Sequence, residues 1–108
     1  MSIRERIDAI AKEMLADPTP AQVREFEIEL AALLWGVNKE VTRCELAFKR
    51  DILEAESKTA AGKRQIAEGN TSYAELLEAE AAQKSVMEML RTCRSHGRSL
   101  SEEMRLQR

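Results

Sequence analysis

Residues 20–66 read PAQVREFEIELAALLWGVNKEVTRCELAFKRDILEAESKTAAGKRQI, and this stretch decides the fold. Thr19 precedes it as a helix N-cap, and Gln22 completes a capping box with Thr19. Within the stretch only Gly36 and Gly62 weaken a helix, each by about 1 kcal/mol relative to alanine. We therefore predict one long helix, which would measure about 70 Å at 1.5 Å per residue.

Two more helices flank this stretch. A capping box at Ser2 predicts a short first helix over residues 3–16, and a box at Ser72 predicts a long third helix. The third helix either ends at Gly97, before a separate short helix, or continues to about Leu106. Register favours the continuous helix, because apolar residues of helices two and three then match in reverse order.

If helix three folds back antiparallel on helix two around a turn near residue 69, the residue numbers of facing residues sum to about 138. The predicted pairs are Leu34 with Met104, Val41 with Gly97, Cys44 with Cys93 or Arg94, Phe48 with Leu90, Ile52 with Val86 and Gly62 with Leu76. Around the first turn the sums are near 37, as for Ile7 with Leu30 and Met14 with Val23. Helix one is thus predicted to cover the start of helix two and helix three the rest, and the two meet near Leu34. These patterns predict elongated antiparallel helical hairpins, two helices thick, in a single helical domain over residues 1–108.

Composition agrees with an all-α fold. Hydrophobic residues make up 44% of the chain, aromatic residues only 4% and charged residues 33%. The net charge of -2 is unevenly distributed, because residues 39–64 and 91–108 are net basic. No apolar run approaches the roughly 20 residues that span a bilayer, so we expect a cytoplasmic protein, in the host cytoplasm if it is phage-encoded.

Helix two carries a second apolar face, about 140° from the seam of Val41, Cys44 and Phe48 at 100° per residue. Its members are Ile28, Trp35, Leu46 and Leu53. Because a soluble monomer rarely leaves such a stripe in water, we interpret it as an oligomer interface with Trp35 as anchor. The alternative is a monomeric bundle in which a separate C-terminal helix covers the stripe.

Catalytic or metal-binding patterns are absent from the sequence. His96 has no patterned carboxylate or nucleophile nearby, and the glycines form no phosphate-binding loop. Cys44 and Cys93 lack zinc-site spacing; a disulfide is conceivable from the register, but free buried thiols are the favoured interpretation. We therefore expect no enzyme activity, no metal and no cofactor.

Two basic stripes are the remaining candidate site. Lys39, Arg43 and Arg50 share one outward face of helix two. The stripe on helix three consists of Arg91, Arg94, Arg98 and Arg105. The predicted register brings both stripes to the same level, where a single-stranded nucleic acid or an acidic protein surface can bind. A merely solvated face is the alternative, but repetition in an oligomer would add avidity.

Three segments carry a family resemblance. They are Trp35-Gly36-Val37-Asn38-Lys39, Glu45 through Arg50, and Arg94-Ser95-His96-Gly97-Arg98 leading through Leu100 to Met104-Arg105. In them the chain resembles the UvsY-type phage recombination mediators. The resemblance implies DNA contacts at Lys39, Arg43, Lys49, Arg50 and Lys58. This chain is shorter than that pattern, poorer in aromatic residues and slightly acidic.

The resemblance implies a helical homo-oligomer that binds single-stranded DNA and helps a RecA-like recombinase displace a single-strand-binding protein. We therefore expect a non-enzymatic recombination mediator. The alternative is a structural or adaptor coiled-coil protein, such as a phage assembly chaperone, whose apolar stripe binds a helix of another protein.

Overall fold

Four helices make up the structure, a computed structural model that describes the backbone of residues 2–106 and the side chains of residues 2–100. They are α1 (Ile3–Leu15), α2 (Pro20–Glu54), α3 (Ala60–Glu68) and α4 (Thr71–Leu106). No strand occurs among these described residues. The predicted all-α fold is therefore confirmed.

The first two helices begin at the predicted capping residues. The Ser2 hydroxyl accepts a hydrogen bond from the backbone N–H of Glu5 at 3.1 Å. At the start of α2, the Gln22 N–H donates to the Thr19 hydroxyl at 3.2 Å, and the Thr19 N–H donates to the Gln22 carboxamide oxygen at 2.9 Å. Between these helices Asp17 has a φ of 56°, a left-handed conformation that turns the chain.

The predicted helix over residues 20–66 is interrupted, which corrects the expectation of one continuous element. α2 ends at Glu54 and α3 is a separate helix. The Thr59 hydroxyl caps α3 by accepting from the Gly62 N–H at 3.0 Å, and the Ser57 hydroxyl accepts from the Thr59 N–H at 3.4 Å. Such side-chain bonds to the backbone compete with the helical ladder, so two hydroxyl residues mark the break.

The chain divides into two compact units. The first contains the residues up to Trp35 and those from Lys84 onward, and the second is Gly36–Gln83. α1 belongs to the first unit and α3 to the second, whereas α2 and α4 each contribute to both. The single domain over residues 1–108 stays a prediction.

In the first unit, α1 packs antiparallel on the start of α2. Nε of Arg6 lies 2.5 Å from a carboxylate oxygen of Glu29. The residue numbers of this pair sum to 35. The predicted sum was near 37, so antiparallel packing of α1 on the start of α2 is confirmed, and the individual apolar pairs stay predictions.

α4 packs against both of these helices in the first unit. Sγ of Cys93 lies 3.9 Å from Sδ of Met14, and a Cβ placed on Gly97 would lie 3.8 Å from Cγ1 of Val23. α4 continues through Gly97, as predicted, although Gly97 lies beside Val23 and not beside Val41 as the register behind that prediction required. The prediction of a layer only two helices thick is wrong here, because α4 also covers α1. The buried side chains of this unit include Ile10, Val23, Phe26, Leu30, Val86, Leu90 and Cys93.

In the second unit, α2 and α4 pair in a different register from the one predicted. The ring centroids of Phe48 and Tyr73 are 5.0 Å apart, and the Gln83 side chain donates to Oδ1 of Asn38 at 2.7 Å. Both pairs sum to 121 rather than 138. The early end of α2 moves the reversal of the chain toward the N-terminus, so the predicted pairing of Phe48 with Leu90 is wrong. The other pairs derived from that sum lose their basis with it.

The predicted capping box at Ser72 is also replaced by contacts between helices. α4 begins at Thr71, and the Ser72 hydroxyl donates a hydrogen bond to the carboxylate of Asp51 on α2. A carboxylate oxygen of Glu75 lies 3.8 Å from Nη2 of Arg43. The buried side chains of this unit include Val37, Val41, Cys44, Phe48, Ala67, Leu76 and Ala79.

Candidate nucleic-acid interface

Three exposed arginines of α4 line a shallow groove in the first unit. Arg91, Arg94 and Arg98 lie at i, i+3 and i+7, a spacing that places them on one side of the helix. Together with Ser95 they border a concavity of about 490 Å³. Its apolar lining consists of Leu34, Met87 and Leu90. The groove thus combines a row of positive charge with apolar surface.

The charge of these arginines is not neutralised by the described side chains. No carboxylate within residues 2–100 forms an ion pair with Arg91, Arg94 or Arg98. A guanidinium group donates to phosphate oxygens in a forked geometry and stacks on planar rings. The groove is therefore suited to an anionic ligand that also carries flat or apolar groups.

The apolar lining of the groove was missed from the sequence. Met87 precedes Arg91 by four residues and Leu90 precedes Arg94 by four, so a helical wheel of α4 alone could have found them. Leu34 belongs to α2 and joins the groove through tertiary packing.

Arg43, a predicted contact on α2, is bound to carboxylates of its own unit. Its Nη2 lies 2.5 Å from Glu40 and 3.8 Å from Glu75. The hydrogen bond with Glu40 raises the pKa of the Arg43 guanidinium and, from the other side, lowers the pKa of the Glu40 carboxyl. Two carboxylates thus compete with any phosphate for this arginine.

The other predicted basic contacts are dispersed. Lys39, Lys49 and Arg50 are exposed on α2, whereas Lys58 lies in the connection before α3 rather than on a helix. The side chain of Arg105 lies outside the described residues. The expectation that the two basic stripes lie at the same level depended on the predicted register between the helices, with sums of 138. The pairing of Phe48 with Tyr73 shows a different register, so this expectation has lost its basis.

The second apolar face of α2 is exposed to solvent. Relative accessibilities are 66% for Ile28, 65% for Trp35, 61% for Leu46 and 78% for Leu53. α4 is continuous and packs elsewhere, so no separate C-terminal helix covers this stripe within the described residues. Its role as an oligomer interface stays a prediction.

His96 and the two cysteines show no catalytic arrangement. Nε2 of His96 is buried without a hydrogen-bond partner, in a side chain that lines a surface concavity with Thr92 and Ser99. Cys44 and Cys93 are free, buried thiols. Removal from solvent raises the pKa of both thiols, which keeps them protonated and unreactive near neutral pH.

Similarity to known proteins does not assign this chain to a family. No protein-family profile, curated protein or solved structure matches this chain. None of the helices in residues 2–106 is both long and apolar enough to cross a lipid bilayer. Within the described side chains, no group of three or more His, Cys, Asp or Glu residues is placed to hold a metal ion.

Proposed function

We propose that this protein is a non-enzymatic, homo-oligomeric mediator that binds single-stranded DNA in the cytoplasm. The observation that carries the proposal is the groove of the first unit, where Arg91, Arg94 and Arg98 stand beside apolar side chains and pair with no carboxylate of residues 2–100. Phosphates of a nucleic acid would bind the guanidinium groups.

Apolar lining favours a single strand over a duplex as the ligand. Bases of a duplex are stacked and paired inside the helix, whereas those of a single strand are free to contact a protein surface. Leu34 and Met87 offer such a surface directly beside the arginines, whereas Leu90 is largely buried. Repetition of this modest site in an oligomer would supply avidity that one copy lacks.

The proposed cellular role follows from the UvsY-type resemblance. One of its segments runs from Arg94 to Arg98, and both of these arginines border the groove. The resemblance adds a RecA-like recombinase and a single-strand-binding protein as partners. In this role the oligomer would hold the strand while the recombinase replaces the other protein.

Binding of a fluorescent oligothymidine, followed by anisotropy while salt is raised, tests the proposal. The triple variant Arg91→Ala/Arg94→Ala/Arg98→Ala should bind more weakly. If each arginine contacts one phosphate, the slope of log affinity against log salt should fall by about 2, since each contact to a single strand contributes about 0.7.

A charge-matched variant controls for nonspecific attraction. Arg4→Ala/Lys12→Ala/Arg24→Ala removes three exposed positive charges outside the groove and should largely retain the affinity and slope. Equal losses in both variants, or no salt-dependent binding by the intact protein, would contradict the proposal.

The adaptor alternative draws on the same groove. An acidic amphipathic helix from a partner protein could place apolar residues on Leu34 and Met87 and carboxylates against Arg94. A copurifying protein partner together with no affinity for DNA would favour this second function.

A further inference from the structure

The outer surface of α2 in the second unit combines apolar and basic side chains. Leu46 and Leu53 are largely exposed and lie seven residues apart on the continuous helix α2. Seven residues make nearly two helical turns, so the two leucines form one line about 10 Å long. Lys49 and Arg50 lie between them, one on each side of that line, and both are exposed. We call these four residues the leucine face.

α4 carries an exposed face of the opposite charge in the same unit. Ala74, Leu77 and Ala81 lie at i, i+3 and i+7, so they share one side of the helix. All three are exposed, and Leu77 is 48% exposed despite its size. The exposed Glu78 and Glu80 border this row on its two sides. We call these five residues the acidic face.

The two faces are complementary in spacing. Ala74 and Ala81 of the acidic face are seven residues apart, as are Leu46 and Leu53 of the leucine face. A large side chain packs well beside a small one, so each leucine can lie over one alanine. We propose that the leucine face of one copy packs on the acidic face of a second copy. The inference rests on the homo-oligomer part of the proposed function, and it specifies the contact that forms the oligomer.

Charge favours this contact over a contact between two like faces. None of the four charged side chains of the two faces forms an ion pair within residues 2–100. Two leucine faces would bring Lys49 and Arg50 of both copies together, whereas a leucine face and an acidic face set cations against glutamates. Glu45 and Glu54, each adjacent in sequence to one of the leucines, lie about 90° from the leucine line. The mixed contact is therefore the electrostatically complementary one.

The contact is head-to-tail, because every copy carries both faces. A copy that offers its leucine face to one neighbour keeps its acidic face for another, so the contact repeats in a closed ring or an open filament. Removal of Leu46, Leu53 and Leu77 from water provides the driving force. The opposite charges determine which faces meet.

A charge exchange between the two faces tests the contact, with mass in solution as the measurement. Lys49→Glu/Arg50→Glu makes the leucine face acidic, and Glu78→Lys/Glu80→Lys makes the acidic face basic. Each variant alone should be a monomer, because its two faces then carry like charges. An equimolar mixture should assemble again, since every face finds a face of opposite charge on the other variant. Circular dichroism should show an unchanged helical fold, because the exchanged residues are exposed and favour helices.

Matched charge changes elsewhere separate the contact from an effect of net charge. Arg4→Glu/Arg24→Glu and Asp8→Lys/Glu25→Lys make the same changes in charge at exposed positions of the first unit. Both controls should keep the mass of the wild-type assembly.

The apolar part of the contact is tested by variants that keep every charge. Leu46→Gln/Leu53→Gln should be monomeric, because the leucine face loses its apolar side chains. Leu15→Gln, at an exposed leucine outside both faces, should assemble as the wild-type chain does.

The masses also separate failure of this contact from failure of the proposed function. Assembly of each face variant alone, or an equimolar mixture that stays monomeric, would overturn the inference and leave the homo-oligomer of the proposed function in place. A monomeric wild-type chain would overturn both. The mass measurement contains no nucleic acid, so it tests the contact independently of DNA binding in the arginine groove.

Discussion

Two helical glycines, alike in the sequence, have opposite surroundings. A Cβ placed on Gly36 would meet nothing within 4 Å, whereas a Cβ on Gly62 would collide with the hydroxyl of Ser57 and lie 3.2 Å from its Cβ. Gly36 therefore only weakens α2. Gly62 allows the chain between α2 and α3 to fold back onto the first turn of α3.

These surroundings predict stability changes of opposite sign. Gly36→Ala should raise the free energy of unfolding by about 1 kcal/mol through better helix propensity. Gly62→Ala should lower it by about 1 kcal/mol, because the added methyl displaces Ser57. Urea denaturation followed by circular dichroism measures both values. Stabilisation by both substitutions would contradict the close contact at Gly62.

Single residues of the candidate site differ in how far the sequence reveals them. The pairing of Arg43 with Glu40 was readable, because residues three apart are neighbours on a helix. The contact of Arg43 with Glu75 on α4 depends on the register between helices and was not readable. The groove arginines were found from their spacing, but their freedom from carboxylates within residues 2–100 required the structure.

At the scale of the element, the break between α2 and α3 shows the limit of a rule based on glycine and proline. Ser57 and Thr59 interrupt the helix through hydrogen bonds to nearby backbone groups, and neither residue is a strong breaker by propensity. Thr59, whose hydroxyl accepts a hydrogen bond from the Gly62 N–H, is a local N-cap signal. An early end of α2 was therefore partly encoded in the sequence, although outweighed there by the apolar pattern.

The cap of α3 gives a prediction at this scale. Thr59→Ala should lower the free energy of unfolding by about 1 kcal/mol, because the Gly62 N–H loses its acceptor. Thr92→Ala is the matched control, since the Thr92 hydroxyl bonds only to the carbonyl of Glu88 within α4. The control should leave stability unchanged or slightly higher in urea denaturation. A Thr59→Ala protein as stable as the wild type would argue against the cap.

For the whole molecule, exposure of the α2 stripe links folding to association. Any species that binds only the folded state stabilises it by mass action. If two copies associate, a tenfold rise in protein concentration should add about 1.4 kcal/mol to the apparent free energy of unfolding per dimer. Leu46→Glu should remove this dependence by placing a charge in the contact.

Thermal unfolding at several concentrations measures this effect, with mass in solution determined in parallel. Leu15→Glu is a suitable control, because this leucine is exposed outside the stripe and its replacement should preserve the concentration dependence. The same melting temperature at every concentration would contradict self-association of the wild-type chain.

The sequence by itself determined the all-α class, the caps of α1 and α2 and the antiparallel pairing around the first turn. These features depend on residues close in the chain or on the helical period, and both are visible without coordinates. Only the tertiary structure decided the register between α2 and α4, in which the numbers of facing residues sum to 121. It also decided the hydrogen bond from Ser72 to Asp51 and the position of Leu34 in the arginine groove. The physical reason is that a short break in one helix moves every later contact between helices, while leaving the pattern within each helix unchanged.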